Sequence, residues 1–441
     1  MKYLLSILLC LNVLSVLGQE GWVWEERTPK PKAMSNNAVA EGTVDNVTYV
    51  YSFGGIDTTK IWSGISNDSF RYNTETDTWE SIPPLPLETP VIAAGASTVN
   101  NKIYIIGGYE VASNGSEVSS KKLFIYDPET NAYTEGAELP IATDDHIQAV
   151  WRDSLIYVAT GWSNNTNINA VQIYDTANDS WEIGTAVPNT NDFKVFGGSG
   201  AIVGDTLYYA GGAKITTFSF VLTNHFRKGI INPENPTEIE WLGNTDSLAL
   251  GYRMAATEWN NQVLWLGGSV VAYNYNGIAY NGTGGVPPLN RILQYDPLGD
   301  SLFVESDTIP SIMDLRGIAR LDENTFMLVG GMGFDQQVQD KAYWIHYQTA
   351  TDTMNTTIPM VENNANIKVY PTITKGMIYV EAGGIDTALK ATIWDVSGKS
   401  ILTKKIKNNE SIDINDVRVG TYILTIERDG EILYRGQILK E

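Results

Sequence analysis

The ionisable residues best placed to do chemistry in this sequence recur at one spacing. Arg253, Arg316 and His146 each lie 14 residues before a Gly-Gly or Thr-Gly pair that ends an apolar run. Equal offsets within a repeat predict equivalent positions, at the start of the innermost strand of each unit. Acidic, basic and aromatic residues follow in the same segments. The candidate ligand-binding residues are Glu88, Asp145, His146, Lys194, Tyr252, Arg253, Asp314 and Arg316.

Two different roles suit these residue types. The guanidinium groups of Arg253 and Arg316 could hold an anionic sugar through bidentate contacts, with Asp145, Asp314 or His146 as acid–base groups. Alternatively, each arginine pairs with a carboxylate or backbone group of the neighbouring repeat and serves only the fold. Both readings stay open, no catalytic residue is assigned, and no cofactor or metal ion is predicted.

Paired glycines at regular intervals indicate the repeat itself. The first residues of the six pairs are Gly54, Gly107, Thr160, Gly211, Gly267 and Gly330. Their separations of 53, 53, 51, 56 and 63 residues suit one four-stranded unit each. A second signal follows most pairs, a tyrosine with a large side chain seven residues later across a polar turn. It occurs at Tyr72 and Trp79, Tyr126 and Tyr133, Tyr174 and Trp181, and Tyr295 and Leu302. This pattern predicts a hairpin in each unit.

The glycine pair, the Tyr-Asp dipeptide and the later aromatic residue together resemble the kelch repeat. The resemblance implies an all-β fold, a six-bladed kelch-type β-propeller over residues 19–358, with ligands at the axial mouth where loops converge. Glycines let inner strands crowd at the axis, and aromatic side chains fill the wedges between blades. Gly21 to Thr28 looks like an outermost strand that completes blade 6; the competing view starts that strand at Met354.

Two enzyme classes with kelch propellers bear on function. A resemblance to sialic acid mutarotases would make the protein a carbohydrate-active enzyme. The copper radical oxidases of the galactose oxidase type need a Tyr–Cys crosslink and two histidine ligands. The only cysteine, Cys10, lies in the apolar run of the predicted signal peptide, and the chain has three histidines, so the sequence disfavours that activity. A Tyr- and Asn-rich insertion from Tyr273 to Leu289 could also line the mouth and stack on sugars through Tyr273, Tyr275 and Tyr280, or else pack between blades.

The N-terminus predicts export. Lys2, the apolar run from Leu4 to Leu17 and a small residue at Gly18 predict a signal peptide over residues 1–18. The net charge of −21 makes a nucleic-acid partner unfavourable, since an acidic surface repels phosphates. No transmembrane segment is predicted in the mature chain.

The last part of the chain predicts a separate small β-sandwich. Residues 359–366 contain Pro359 and three asparagines and suit a linker. Residues 367–441 then alternate in short strands separated by turns. Val369-Tyr370-Pro371, Trp394-Asp395-Val396-Ser397-Gly398-Lys399 and Gly420-Thr421-Tyr422 resemble the type IX secretion C-terminal sorting domain of Bacteroidetes. That family implies the type IX machinery as a partner and passage through the outer membrane; an ordinary sandwich is the alternative.

We therefore expect a secreted or outer-membrane surface-attached propeller that binds carbohydrate or an extracellular protein at its axial mouth. The alternatives are a carbohydrate-active enzyme of the mutarotase or epimerase type and an adhesin or matrix protein that has no pocket. The sequence leaves open the ligand, any catalytic activity, the oligomeric state, any bound ion and whether the protein is attached or released.

Overall fold

The fold was obtained as a computed structural model, which describes residues 21–217, 219–348, 367–383, 387–395, 399–428 and 431–440. The chain divides into two compact units, Trp22–Tyr347 and a C-terminal unit, which are described separately. The segments 1–18 and 359–366, which the sequence predicts to be a signal peptide and a linker, lie outside the described residues, as does Met354.

Six sheets of antiparallel strands form the first unit, which confirms the predicted all-β propeller with six blades. The strands of each blade are given from the inside outward. Blade 1 comprises Ala38–Val44, Val47–Phe53, Ser69–Asn73 and Thr78–Ile82, and blade 2 comprises Gly95–Val99, Lys102–Ile106, Leu123–Asp127 and Ala132–Glu135. Blade 3 comprises Ile147–Trp151, Leu155–Ala159, Val171–Asp175 and Ser180–Ile183.

Blades 4 to 6 follow in the same order around the axis. Blade 4 comprises Ser199–Val203, Thr206–Ala210, His225–Asn232 and Asn235–Thr245, and blade 5 comprises Ala255–Trp259, Gln262–Leu266, Arg291–Asp296 and Ser301–Ser306. Blade 6 comprises Ala319–Arg320, Thr325–Val329, Ala342–Gln348 and Gly21–Arg27. The outermost strand of blade 6 is thus the N-terminal strand of the described chain. A two-residue strand, Arg316–Gly317, pairs in parallel with Ala38 and Val39 and joins blade 6 to blade 1.

Aromatic side chains fill the wedges between blades in a repeated way. The tyrosine of each Tyr-Asp signal is buried, and its hydroxyl donates to a side chain five residues later, as Tyr174 does to Asp179 at 2.6 Å. The aromatic residue seven positions later packs on it, with 5.0 Å between the ring centroids of Tyr174 and Trp181. The Trp181 indole then donates to Ala137 O at 2.7 Å, in the preceding loop. These contacts tie each blade to its neighbour, because ring burial and a hydrogen bond act together.

Loops between the second and third strands of the blades carry additional elements, which together we call the cap. They comprise the 3-10 turn Trp62–Gly64, the hairpins Tyr109–Val111 with Glu117–Ser119, Trp162–Ser163 with Thr166–Asn167 and Ala213–Ile215 with Phe220–Leu222, the segment 269–289, and the 3-10 turn Phe334–Gln336. A further 3-10 turn, Ser247–Ala249, precedes blade 5. Neighbouring cap loops contact one another: Lys60 Nζ donates to Gln336 O at 2.9 Å, for example.

The C-terminal unit has two sheets around one apolar core. One sheet contains Ile367–Tyr370, Met377–Ala382 and Glu410–Asp413. The other contains Ile373–Thr374, Leu389–Asp395, Ser400–Ile406, Gly420–Arg428 and Glu431–Lys440. Ile378, Val380, Leu424 and Ile438 are buried between them.

Candidate functional site

Backbone hydrogen bonds link most neighbouring blades at one end of the propeller axis, and we call this set of bonds the ring. Just before its inner strand, each blade has a residue in the left-handed conformation, with φ between +46° and +63°. These residues are Asn36, Ala93, Asp145, Gly197, Arg253 and Asp314. This conformation turns the N–H and C=O groups toward the adjacent blades. Gly197 N, for example, donates to Asp145 O, and Arg253 N donates to Gly197 O, each over 2.8 Å. The strain of a left-handed non-glycine residue is therefore offset by inter-blade bonding.

Four of the candidate residues meet beside this ring in one ionic cluster. Arg253 binds Asp145 bidentately, with Nη2 to Oδ2 at 2.6 Å and Nε to Oδ1 at 3.1 Å. Its Nη1 donates to Asp314 Oδ1 at 2.8 Å. Arg316 approaches the same Asp145 at 3.5 Å and donates to His146 O at 3.1 Å. The cluster thus joins blades 3, 5 and 6, whose side chains are far apart in sequence.

Burial determines the electrostatics of this cluster. Arg253, Asp145 and Asp314 are at most 2% exposed. Burial raises the pKa of Asp314, against the pull of Arg253 in the other direction. Burial, with the charge of Asp145, also raises the pKa of the adjacent Asp144 well above its usual range, which favours its neutral form. Two arginines then face two carboxylates, Asp145 and Asp314, so the cluster is internally balanced.

The predicted equivalence of Arg253, Arg316 and His146 was wrong by one residue. Counting back from the glycine pair assumes that the turn between the first and second strands has the same length in every blade. The turn in blade 5 has two residues, Asn260 and Asn261, whereas the turn in blade 3 has three, Arg152 to Ser154. Arg253 therefore lies one position earlier than His146 and corresponds to Asp145.

Aromatic residues of the cap and of the loops that lead into the inner strands cover the cluster. Tyr252 and Tyr273 are buried, with their ring centroids 5.2 and 5.6 Å from the Arg253 guanidinium. The rings of Phe196 and Phe220 lie 5.2 Å apart and continue this layer. Tyr280 packs on Phe220 at 4.7 Å. At this end of the axis, Arg253 and its partners are therefore enclosed by aromatic side chains rather than exposed at a mouth.

On the other side of the cluster lies an axial cavity of about 260 Å³. Inner strands of all six blades line it, and most of the lining side chains are small, such as Ala96, Ala149 and Ala256. His146, Gln148 and Arg316 lie at its blind end, next to the cluster. Glu41, Glu258 and Arg320 lie further along the strands, and Arg320 Nη1 pairs with Glu258 at 2.7 Å. Since Glu258 and Arg320 are partly exposed, the cavity opens toward the first-hairpin turns.

Polar residues of this cavity were partly missed by the sequence reasoning. Gln148, Glu41, Glu258 and Arg320 were not candidates, although the last three occupy the same register position on the inner strands of blades 1, 5 and 6. Aligning the blades by strand pairing instead of by the glycine pair would have grouped them. Glu88 is exposed and Lys194 is half-buried, both in loops that lead into inner strands, and neither takes part in the ion pairs of the cluster.

His146 is a buried neutral imidazole. Its Nε2 lies 3.0 Å from Gln148 Oε1. Gln148 Nε2 donates to Ser97 Oγ at 3.0 Å and to Tyr104 O at 3.3 Å, so its oxygen must be the acceptor toward His146. The proton of the neutral ring therefore resides on Nε2. Burial, assisted by the charge of Arg316, lowers the pKa of His146 to about 4.

This depressed pKa predicts a loss of stability in acid. The unfolded chain takes up the histidine proton near its ordinary pKa of about 6.5, whereas the folded chain takes it up only near 4. Stability from this group is thus present above pH 6.5 and is lost as the pH falls toward 4, by about 3 kcal/mol in total. His146→Gln keeps a donor toward Gln148 and removes the titration. Between pH 7 and pH 4.5, the free energy of unfolding measured with denaturant should decrease less for the variant than for the parent protein. The carboxylates are the same in both proteins, so their contribution cancels in this comparison. An equal decrease in both proteins would contradict a buried, neutral His146.

Among the described residues there is neither a cluster suited to a metal ion nor a membrane-spanning helix. No group of three or more His, Cys, Asp and Glu side chains in this part of the chain is arranged to hold a metal ion. Nor does any helix there have the length and apolar character needed to cross a membrane.

Six four-stranded blades with paired glycines and inter-blade aromatics define a kelch β-propeller, and comparison with known families agrees. The KLHDC2/KLHL20/DRC7 kelch-repeats domain matches residues 8–212. The secretion system C-terminal sorting domain matches residues 368–440. The chain is a kelch-repeat propeller protein that carries a type IX secretion sorting domain. Its sorting domain indicates type IX export, with release from the cell or attachment to its surface.

Individual relatives resemble parts of the chain. Human Kelch-like protein 15 is 27% identical over 130 residues, which cover 30% of this chain and 20% of that protein. Human Kelch repeat and BTB domain-containing protein 12 is 30% identical over 162 residues, 34% of this chain and 25% of that protein. Beta-scruin of Limulus polyphemus is 27% identical over 162 residues, 35% of this chain and 17% of that protein. The chain thus spans a quarter or less of these relatives.

A solved structure supports the same fold. The structure titled "Structure of YjhT" is 14% identical, with a TM-score of 0.54, and the match covers 72% of this chain and 95% of that one. At this identity the likeness concerns the architecture alone.

Proposed function

We propose that this chain is exported with cleavage of a signal peptide over residues 1–18 and binds an extracellular protein through the outer surface of the cap. The observation that carries the proposal is a concentration of exposed apolar side chains on the cap loops. Phe334 is 61% exposed and Val118 is 55% exposed. The set comprises Ile61, Trp62, Val118, Val221, Val270, Ile278 and Phe334, from five of the six blades.

These residues suit protein recognition more than carbohydrate binding. Exposed aromatic and aliphatic groups grouped at one end of a folded domain are typical of interaction sites. Tyr273, which the sequence offers as a sugar-stacking residue, is buried against Tyr252. Tyr280 packs on Phe220, so its ring is also engaged within the cap.

The enzyme alternative finds less support at this end of the axis. Its acid–base groups would be Asp145 and Asp314, and both are buried and paired with Arg253. A ligand in the cap would have to displace the aromatic layer before it reached them.

The acidic chain, with 51 Asp and Glu against 30 Lys and Arg, favours a partner with a basic surface.

Photocrosslinking in producing cells tests this proposal. We expect a photoreactive phenylalanine analogue at Trp62 or Phe334 to give a discrete crosslinked protein. The matched control places the analogue at Leu298, which is 96% exposed in the blade 5 turn at the opposite end of the strands. The same product from Leu298, or none from either cap position, would contradict binding through the cap.

A further inference from the structure

The axial cavity is a second place where a ligand could bind, independent of the cap. Its blind end is closed by the ionic cluster and the ring of backbone hydrogen bonds, and its other end reaches solvent beside Glu258 and Arg320. Its volume is about 260 Å³, enough for a small molecule. The walls are largely alanine, glycine and other small residues, so the polar groups at the two ends determine what fits.

At the blind end, the two arginines of the cluster are unequally compensated. Arg253 holds the short contacts to Asp145 and Asp314, at 2.6 and 2.8 Å. Arg316 has only the 3.5 Å approach to Asp145 and one bond to a backbone carbonyl. Its side chain is 5% exposed, and its Nε has no hydrogen-bond partner among the described residues. A buried guanidinium with an unpaired donor is stabilised by an added acceptor, and a carboxylate is a strong one.

Beside Arg316, the cavity offers an acceptor rather than a second cation. His146 is 2% exposed, and its Nδ1 has no hydrogen-bond partner within the described chain. Because the proton resides on Nε2, Nδ1 is an acceptor and suits a hydroxyl group. His146 lies in blade 3 and Arg316 in blade 6, on opposite sides of the axis, and both residues line the cavity.

The open end of the cavity favours ligand groups that are neutral or that donate hydrogen bonds. Glu41 accepts from Arg320 N at 2.9 Å, and Glu258 pairs with the Arg320 guanidinium. Two carboxylates against one arginine leave this end with an acidic balance, which repels a second anionic group and accepts hydrogen bonds from hydroxyls. Four residues of inner strand separate the two ends, about 13 Å at the usual rise per residue.

We propose that the axial cavity binds a small hydroxycarboxylate, with its carboxylate at Arg316 and its hydroxyls toward His146, Glu41 and Glu258. Arg316 Nε donates to the carboxylate and His146 Nδ1 accepts from a neighbouring hydroxyl after the two side chains turn toward the cavity, since both atoms are enclosed in the free protein. The ligand enters from the first-hairpin turns and reaches Arg316 without disturbing the cap. This site is separate from the protein-binding surface, so either can fail without the other.

Calorimetric titration of the mature full chain with D-gluconate tests the site. We expect saturable binding of gluconate, and none of sorbitol, which replaces the carboxylate by a hydroxymethyl group at equal length. Arg316→Gln should weaken gluconate binding at least about tenfold, because it removes the charge that pairs with the carboxylate. Arg152→Gln is the matched control, since Arg152 is exposed and pairs with Asp205 outside the cavity, and it should bind as the parent does.

A cavity-filling variant keeps the test decisive if Arg316→Gln does not fold. Ala96→Leu places a larger side chain in the cavity and leaves Arg316 and the cluster intact, so it should abolish gluconate binding. Equal binding of gluconate and sorbitol, no heat with gluconate up to about 10 mM, or unchanged binding to Ala96→Leu would each overturn the proposal.

Discussion

Arg253→Met is expected to lower the free energy of unfolding of the propeller by about 3 to 5 kcal/mol. The substitution keeps much of the side-chain volume but leaves Asp145 and Asp314 buried without their main partner. Arg316, 3.5 Å from Asp145, compensates only one of them in part. An uncompensated buried carboxylate must either pay its desolvation or take up a proton, and both outcomes destabilise the folded state.

Urea unfolding followed by tryptophan fluorescence measures this effect, since Trp394 is the one tryptophan outside the propeller. Arg152→Met is the control, because its ion pair with Asp205 is exposed and should contribute about 0 to 1 kcal/mol. Adding Asp145→Asn and Asp314→Asn to Arg253→Met should recover part of the loss, because neutral amides cost less to bury. A loss for Arg253→Met no larger than that for Arg152→Met would show that the cluster is not a determinant of stability.

The second large effect is expected at the glycine pairs. Gly211 has a φ of +64°, and a Cβ there would lie well inside contact distance of the Gly251 carbonyl oxygen. Gly211→Ala therefore combines left-handed strain of about 1 to 2 kcal/mol with an overpacking cost of about 1 to 3 kcal/mol. Backbone of the adjacent blade supplies the clash, so a rotamer change cannot relieve it.

Gly204→Ala provides a matched control for this strain. Gly204 has a similar φ of +57°, but nothing lies within 4 Å of an added Cβ. We expect Gly204→Ala to lose only the left-handed term, and the difference between the two variants, measured by urea unfolding, to isolate crowding between blades. Equal losses would mean that conformation rather than close approach explains the glycines.

Thr160 shows how a side chain can occupy the corresponding position in blade 3. Its φ of +50° lies in the left-handed region, so it carries the backbone strain that an alanine would have at one of the glycine positions. Its hydroxyl accepts from Val195 N at 2.9 Å and donates to Ile168 O at 2.8 Å. Those bonds link blade 3 to the loop that leads into blade 4, and they offset the conformational cost.

Local patterns were sufficient to predict the architecture of the propeller. Glycine pairs, the Tyr-Asp signal and the later aromatic residue all act within one hairpin or between adjacent hairpins. Tyr174, Asp179 and Trp181 illustrate this, because their hydrogen bond and ring contact join residues five and seven positions apart. Turn chemistry and side-chain periodicity are read over such short distances, so the blades and their order followed from the residues alone.

The candidate site depended on more distant contacts. Sequence spacing selected Arg253, and Asp145 and Asp314 were candidates as residues of the same segments. The ion pair between Arg253 and Asp145, however, joins residues 108 positions apart. Nothing local shows whether an arginine near the axis faces solvent or a buried carboxylate. One extra residue in the turn after Trp151 also shifted the alignment of His146 relative to Arg253.

The amino-acid sequence by itself determined the number of blades, the position of the glycines and the sorting domain, because each is specified by short-range residue patterns. Only the tertiary structure decided that the cap covers Arg253 and that a separate cavity reaches Arg316. Burial is the reason: whether a charged group is enclosed depends on which loops from other blades close over it, and the residues on either side of that group do not encode this.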